Sequence, residues 1–305
     1  MRNIAFGYST RCDLRCGHCV AAGALPDHRK MELAQAKEII CNLAAAGVNG
    51  ISFTAGEPML YGDDLVHLVA LCRELGIYTR VVTNSSWART ADQARLRLEP
   101  LKQSGLRQLR LSSSRWHQAQ VPRANILHAA QACLQAGVDY FISFVTDFSM
   151  EDDGHEQFLR DHSLRFFPEP IIYAGRAEEF NRPALHTDYQ DNRCAMNPYL
   201  APDLNLYACC DAGSHFRTTN FFLLGNLGSL DSQAIDRLLT ASERHPLYNC
   251  IRFLGISPLA SFAGFAASEI VTHRKCELCK KLFDVPETLH RLQQAAGGEL
   301  QRWRR

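Results

Sequence analysis

The chain has 305 residues, 46% of them apolar, and its 33 basic and 32 acidic side chains leave a formal net charge of +1. That is enough apolar material for one large domain or a barrel with an appendage, and so even a charge balance argues against nucleic acid as a partner. No run approaches 18 apolar residues, and residues 1–8 are too short and polar for a secretory signal, so neither a membrane span nor export is expected and the chain is placed in the cytosol.

Residues 4–8 read as a short buried strand, followed by a loop rich in cysteine. Apolar periodicity then predicts helices over 31–46, 60–75, 92–103, 125–135 and 151–160, the fourth ended by Gly137. Strands are expected at 50–53, 78–83, 106–111, 138–145 and 164–173. Six strands alternating with helices imply βαβ units and a parallel sheet. Six units make a partial (β/α)6 barrel, an α/β fold whose chemistry sits at the carboxyl ends of the strands. After Gly175 the rhythm changes. A hairpin is expected around Pro202-Asp203, a helix over 232–245, an irregular apolar stretch over 246–265, and a helical tail from Cys276 to Trp303. This divides the chain into a barrel, 1–176, and a smaller C-terminal α+β domain, 177–305.

Twelve cysteines in a reducing compartment favour metal binding or catalysis over disulfides. Cys12, Cys16 and Cys19 form C-x3-C-x2-C at the end of the first strand. Three thiolates leave one iron of a four-iron cube open to a further ligand. Structural zinc normally uses paired C-x2-C units or Cys/His pairs, which fit this single tight loop poorly.

This spacing resembles the signature of the radical S-adenosylmethionine (radical SAM) superfamily. The resemblance implies an open-iron [4Fe–4S] cluster chelated by S-adenosylmethionine. One electron cleaves the cofactor, and the 5′-deoxyadenosyl radical takes a hydrogen atom from substrate. Thr54-Ala55-Gly56-Glu57-Pro58 is similar to the superfamily's Gly-Gly-Glu-Pro run, with Ala55 for the first glycine. It implies that Ala55 and Gly56 lie against the cofactor and that Glu57 accepts from its ammonium. By the same resemblance Asn84 ends strand three, and Ser112 and Ser114 fall where relatives have Ser-x-Asp near the ribose. Arg123 is a candidate for the cofactor carboxylate, with a surface role as the alternative. His18 fits a slot for an aromatic near the adenine.

Cys194, the hairpin ending in Cys209-Cys210, and Cys276-Glu277-Leu278-Cys279 resemble the Twitch or shortened SPASM auxiliary-cluster appendage. Cys194, Cys209, Cys276 and Cys279 are the expected ligands of one auxiliary [4Fe–4S] cluster, with structural zinc as the alternative. Cys210 would then point away along the strand, leaving a thiol able to donate a hydrogen atom. Two enzyme functions remain open. One is modification of a ribosomally made peptide, by epimerisation or cross-linking. The other is dehydrogenation of a small molecule such as an amino sugar. Both imply an external flavodoxin- or ferredoxin-like electron donor. Gly175-Arg176-Ala177 resembles a run in SPASM-type relatives and is given no chemistry.

Overall fold

In the first half of the chain, strand residues alternate between two very different faces. In the computed structural model, which describes residues 2–21, 29–181, 193–211, 218–270, 272 and 274–303, six strands pair in parallel and in chain order. They are β1 (Arg2–Gly7), β2 (Val48–Thr54), β3 (Tyr78–Thr83), β4 (Gln108–Ser113), β5 (Asp139–Thr146) and β6 (Phe166–Pro170). Ile4, Phe6, Ile51, Phe53, Val81, Leu109 and Leu111 form one face and are almost wholly buried. Against them pack α1 (Leu33–Ala45), α2 (Gly62–Glu74), α3 (Ala91–Ser104) and α5 (Arg123–Ala136). The alternate residues, among them Asn3, Ser52, Arg80 and Arg110, face a cavity. The period of two along each strand thus separates an apolar core from a polar interior.

Helix ends follow local chemistry. Thr90 caps α3 by accepting from the amide of Gln93, and Gly105 closes it at φ 103°. Gly137, at φ 64°, ends α5 as expected. The helix expected over 60–75 opens instead with a tight 3-10 turn, Pro58–Tyr61, capped by Glu57. A short helix α4 (Arg115–Gln118) follows β4 and was not anticipated. The sixth helix of the barrel, α6, spans Asp153–Asp161.

The second half extends the same sheet. Strand β7 (Tyr199–Leu200) pairs with β1 in parallel, Ala5 opposite Tyr199 and Phe6 opposite Leu200. The expected hairpin forms between β7 and β8 (Asn205–Tyr207), and β9 (Leu223–Asn226) completes the order β6-β5-β4-β3-β2-β1-β7-β8-β9. Helix α7 (Ser232–Arg244) packs on α1, where Arg2 gathers Asp236, Thr240, Glu243 and the carbonyl of Ala46. Leu200, Leu206, Ile235 and Leu239 belong to the barrel's core. A second core holds Cys209, Phe222, Tyr248, Ile251, Leu278 and Phe283.

Two expectations here need correction. The stretch 246–265 is helical, α8 (Pro246–Phe253) and α9 (Ile256–Phe262), broken at Gly255 with φ 94°. Its helical period is hidden because apolar residues also occupy the exposed faces, Phe253, Leu254 and Phe262 among them, while Leu247, Ile251, Ile256 and Leu259 fill the second core. After α10 (Ala267–Ile270), the tail is two helices, α11 (Lys275–Phe283) and α12 (Pro286–Trp303). Pro286 has no amide to continue a helix, and the carboxylate of Asp284 turns aside to accept from the amides of Thr218 and Thr219. Among the described residues no helix is long and apolar enough to cross a membrane.

Because the hairpin shares the barrel's core, Leu206→Ala should lower the stability of the whole sheet. We expect a loss of about 2–5 kcal/mol. Denaturant unfolding followed by the fluorescence of Trp87 and Trp116 would show it, and an unchanged barrel transition would contradict it.

Candidate functional site

The cysteine loop leaves the carboxyl end of β1. Cys12 is exposed, Cys16 buried and Cys19 intermediate. Donors are aimed at the sulfurs. The amide of Leu14 lies 3.4 Å and Asn84 Nδ2 3.7 Å from Cys12 Sγ. Gln120 Nε2 lies 3.9 Å from Cys16 Sγ, while Gln120 Oε1 accepts from the amide of Arg15. Burial pushes the Cys16 thiol up to about 12, helped by Cys19 and Cys12. Cys12, although its residue is exposed, is shifted in the same direction by partial desolvation of its sulfur, against the opposing bond from Leu14. Left alone at neutral pH these thiols stay protonated. Donors directed at sulfur suit thiolates, and three thiolates on one short loop call for a cation among them. The donor set therefore fits a thiolate-bound iron–sulfur cluster.

The turn after β2 presses on this loop. A Cβ on Gly56 would lie 2.2 Å from the carbonyl oxygen of Arg11, so only glycine allows the approach. Ala55 sits at φ 66°, a left-handed conformation costing a non-glycine residue about 1–2 kcal/mol, and it lines the central cavity. Glu57, the expected acceptor for the cofactor's ammonium, has its carboxylate engaged within the protein. It is 2% exposed and already accepts from the amides of Met59 and Asn84 and from Thr83 Oγ1. Burial pushes its carboxyl up to about 7 despite those donors. It welds the end of β3 to the turn after β2, because the turn aims its side chain inward. Asn84 does reach the cysteine loop, donating to Asp13 Oδ1 at 2.9 Å.

At the end of β4, Ser112 stands opposite Ser143, half-buried. Ser114 is fully buried. It caps α4, with Oγ 3.2 Å from the amide and 2.8 Å from Nδ1 of His117. Its hydroxyl is thus engaged within α4 rather than turned to the cavity surface. Arg123 is exposed, donates to the carbonyl of Gly154 and lies over Phe158, tying α5 to α6, an arrangement in keeping with the surface alternative. His18 stacks on Trp116, centroids 5.0 Å apart, and meets His117 edge-on at 4.6 Å. Burial, with the charges of Arg115 and Arg176, lowers it to about 4, so it is neutral.

Sequence reasoning gave no chemistry to Gly175 and Arg176, yet they hold the cysteine loop from below. Arg176 donates through Nη1 to the carbonyl of Cys16 at 3.0 Å, and its amide reaches the carbonyl of Cys19. Gly175, at φ 59°, would place a Cβ 2.5 Å from the carbonyl oxygen of Val20 and 2.6 Å from that of Cys19. The Gly-Arg-Ala run was the available signal. Arg115 was also passed over. It pairs with both oxygens of Asp147 and with Asp152, holding the end of β5 beside α4.

Cys194, Cys209, Cys276 and Cys279 line one small apolar pocket with Asp211, Lys275 and Phe222. The amide of Met196 lies 3.4 Å from Cys194 Sγ, repeating the contact of Leu14 with Cys12. Burial raises Cys276 and Cys279 well above the ordinary thiol range, and Cys209 is raised by its bond with Cys210 and by burial. This dry four-thiol set fits a soft cation. Strand alternation does not separate Cys209 from Cys210, because β8 ends at Tyr207. They sit in a turn, and with Asp211 they bring three potential ligand atoms within 4.8 Å of one another. Cys209 is buried in the pocket, while Cys210 is exposed and opens into the central cavity. That cavity, about 620 Å³, runs between the inner faces of β1–β4 and the hairpin, from Ala55 to Cys210 and Asp211. Its size suits a small molecule or a few residues of a peptide.

Residues 7–162 match the model of the Radical SAM superfamily. The chain belongs to that superfamily, whose members are enzymes, and membership implies S-adenosylmethionine and a [4Fe–4S] cluster. A GTP 3′,8-cyclase of Synechococcus elongatus is 33% identical over 36% of this chain and 33% of its own length. A PqqA peptide cyclase of a Methylobacterium species is 30% identical over 64% of this chain and 50% of its own. The chain thus spans a third to a half of these relatives. A solved structure described as native anSMEcpe with bound AdoMet and Cp18Cys peptide is similar over 97% of this chain and 99% of that one, at a TM-score of 0.58 and 12% identity. That likeness shows the fold.

The contact of Gly175 with the loop generates a test. Gly175→Ala should cut the iron bound at the Cys12 loop by half or more while the second cysteine set keeps its metal. Iron analysis with electron paramagnetic resonance would separate the two. Full loading would show that the close approach is dispensable.

Proposed function

We propose that Cys12, Cys16 and Cys19 hold the open-iron cluster and that the enzyme modifies a ribosomally made peptide. When bound, the cluster and S-adenosylmethionine supply a 5′-deoxyadenosyl radical that removes a hydrogen atom from substrate. The chain's own residues hold the loop and shape the space. Leu14, Asn84 and Gln120 direct donors at the sulfurs, and Arg176 and Gly56 fix the loop's backbone. Hydrogen bonds of this kind tune cluster potentials. Ala55 marks the cofactor end of the cavity.

The observation that carries the peptide reading is the split between Cys209 and Cys210. We assign Cys194, Cys209, Cys276 and Cys279 to one auxiliary [4Fe–4S] cluster and leave Cys210, which lines the substrate cavity beside Cys209, as a thiol outside that set. A free thiol there completes an epimerisation. The S–H bond of Cys210 breaks, a C–H bond forms on the opposite face of the substrate radical, and a thiyl remains. One electron from an external flavodoxin- or ferredoxin-like donor and one proton restore the thiol. The peptide cyclase among the relatives supports a peptide substrate.

Anaerobically reconstituted protein should bind about eight irons, falling to about four when Cys194, Cys276 and Cys279 are replaced by Ala. Replacing Cys12, Cys16 and Cys19 by Ala should abolish 5′-deoxyadenosine formation. With a precursor peptide encoded beside the gene, Cys210→Ala should still form 5′-deoxyadenosine yet fail to release epimerised product, and the wild-type product should carry one solvent deuterium. Product without solvent deuterium would mean cross-linking. Oxidation of an amino sugar with no action on peptide would sink the peptide reading.

A further inference from the structure

Among the described residues, the polar wall of the central cavity holds a cation that no carboxylate pairs with. Arg80, on β3, is half-buried and lines the cavity. Its Nε donates to Gln108 Oε1 at 2.6 Å. Gln108 is held in that orientation because its Nε2 donates to Asp139, which is itself paired with Arg165. Among the described residues no carboxylate pairs with Arg80, and its two terminal nitrogens have no partner. Burial and the neighbouring charge of Arg110 both press its pKa down, the direction expected of a cation short of a counter-ion.

Arg110, on β4, is the second member. Its Nη2 reaches Glu169 and Ser143, but its buried Nε lacks a partner. Both guanidinium groups lie over the ring of Phe141, at 5.3 Å and 5.7 Å from its centroid. The ring fixes their planes without neutralising them. Among the described residues the two guanidinium groups share one counter-ion, Glu169, so this wall is left with more positive than negative charge in a partly desolvated space. On the opposite wall the carboxylates are engaged. Asp203 accepts from Asn205 and faces Arg29, and Asp211 sits against the second cysteine set beside Cys209 and Cys210.

The geometry points to an anion site: Arg80, backed by Arg110, receives the side-chain carboxylate of an acidic residue in the peptide substrate. This rests on the peptide-modifying function above and names its substrate class. A planar carboxylate matches the paired donors of a guanidinium. Arg80 and Cys210 line the same cavity from opposite walls, so the anchored acidic residue lies close in sequence to the residue modified. A half-buried cation kept short of a counter-ion costs stability, and a bound anion would recover that cost.

The test uses two blocked tripeptides, Ala-Glu-Ala and Ala-Gln-Ala, with the anaerobically reconstituted enzyme. Binding is measured by saturation-transfer NMR, without turnover. The Glu peptide should bind about ten-fold more tightly, the scale of one charge-assisted hydrogen bond. Arg80→Gln should erase the difference, and Glu169→Gln, which frees Arg110, should widen it. If Arg80→Gln does not fold, the comparison on unaltered protein still decides. Equal affinities, or no binding of either peptide, overturn the proposal. So does GTP binding more tightly than both peptides with the same dependence on Arg80, which would make this a nucleotide phosphate site. Absence of 5′-deoxyadenosine in the separate turnover assay would strike at the proposed function and leave this selectivity standing.

Discussion

Strand β1 pairs on both edges, and the placement of every candidate group depends on that. Its parallel ladder with β2 brings the turn holding Gly56 and Glu57 against the loop that leaves β1. Its shorter parallel ladder with β7 brings the hairpin, and with it Cys209 and Cys210, to the other side. A strand in the middle of a sheet presents no free edge and tolerates no slip, because a one-residue shift would turn Phe6 from the core to the cavity. The loop of Cys12, Cys16 and Cys19 is therefore anchored at one end by two ladders. At the other end Gly175 and Arg176 close on its carbonyl groups.

The interior of the barrel shows what a partial sheet permits. Parallel strands covered on both faces normally read as unbroken apolar runs. Here Asn3, Ser52, Arg80 and Arg110 interrupt those runs at every second position, since the inner face meets a cavity. Charged groups in such a place need partners. Arg110 has Glu169, Glu57 has three donors, and Arg115 has Asp147 and Asp152. These pairings lie at or near strand ends, where backbone groups are left over by the sheet. They make the carboxyl rim rigid without filling the space in front of it.

What could be read in the sequence was what is local. Apolar periodicity located the six strands and most helices, and the spacing of Cys12, Cys16 and Cys19 pointed to the superfamily. The hairpin at Pro202-Asp203 was equally visible, because its turn is encoded in adjacent residues. Tertiary partners were not visible. Nothing near Glu57 in sequence announces Thr83 or Asn84, and nothing near Ser114 says that His117 will bury it rather than leave it beside a ligand. The stretch 246–265 misled for a related reason. Short helices that carry exposed apolar residues, as here at Phe253, Leu254 and Phe262, lose the one-sided pattern that marks a surface helix.

The same limit explains Cys209 and Cys210. Alternation along a strand would have separated them, but the strand ends two residues earlier, and a turn carries them onward. Their sulfurs stay close, yet the turn gives one to a buried pocket and exposes the other to the cavity. Two adjacent thiols with different surroundings can do different chemistry. The buried one is raised far above the thiol range and is inert without a metal. The exposed one meets whatever enters the cavity from the side of Arg80. The distinction that matters for mechanism thus lies in how the chain turns after Tyr207, a property of the packed hairpin rather than of the Cys-Cys pair itself.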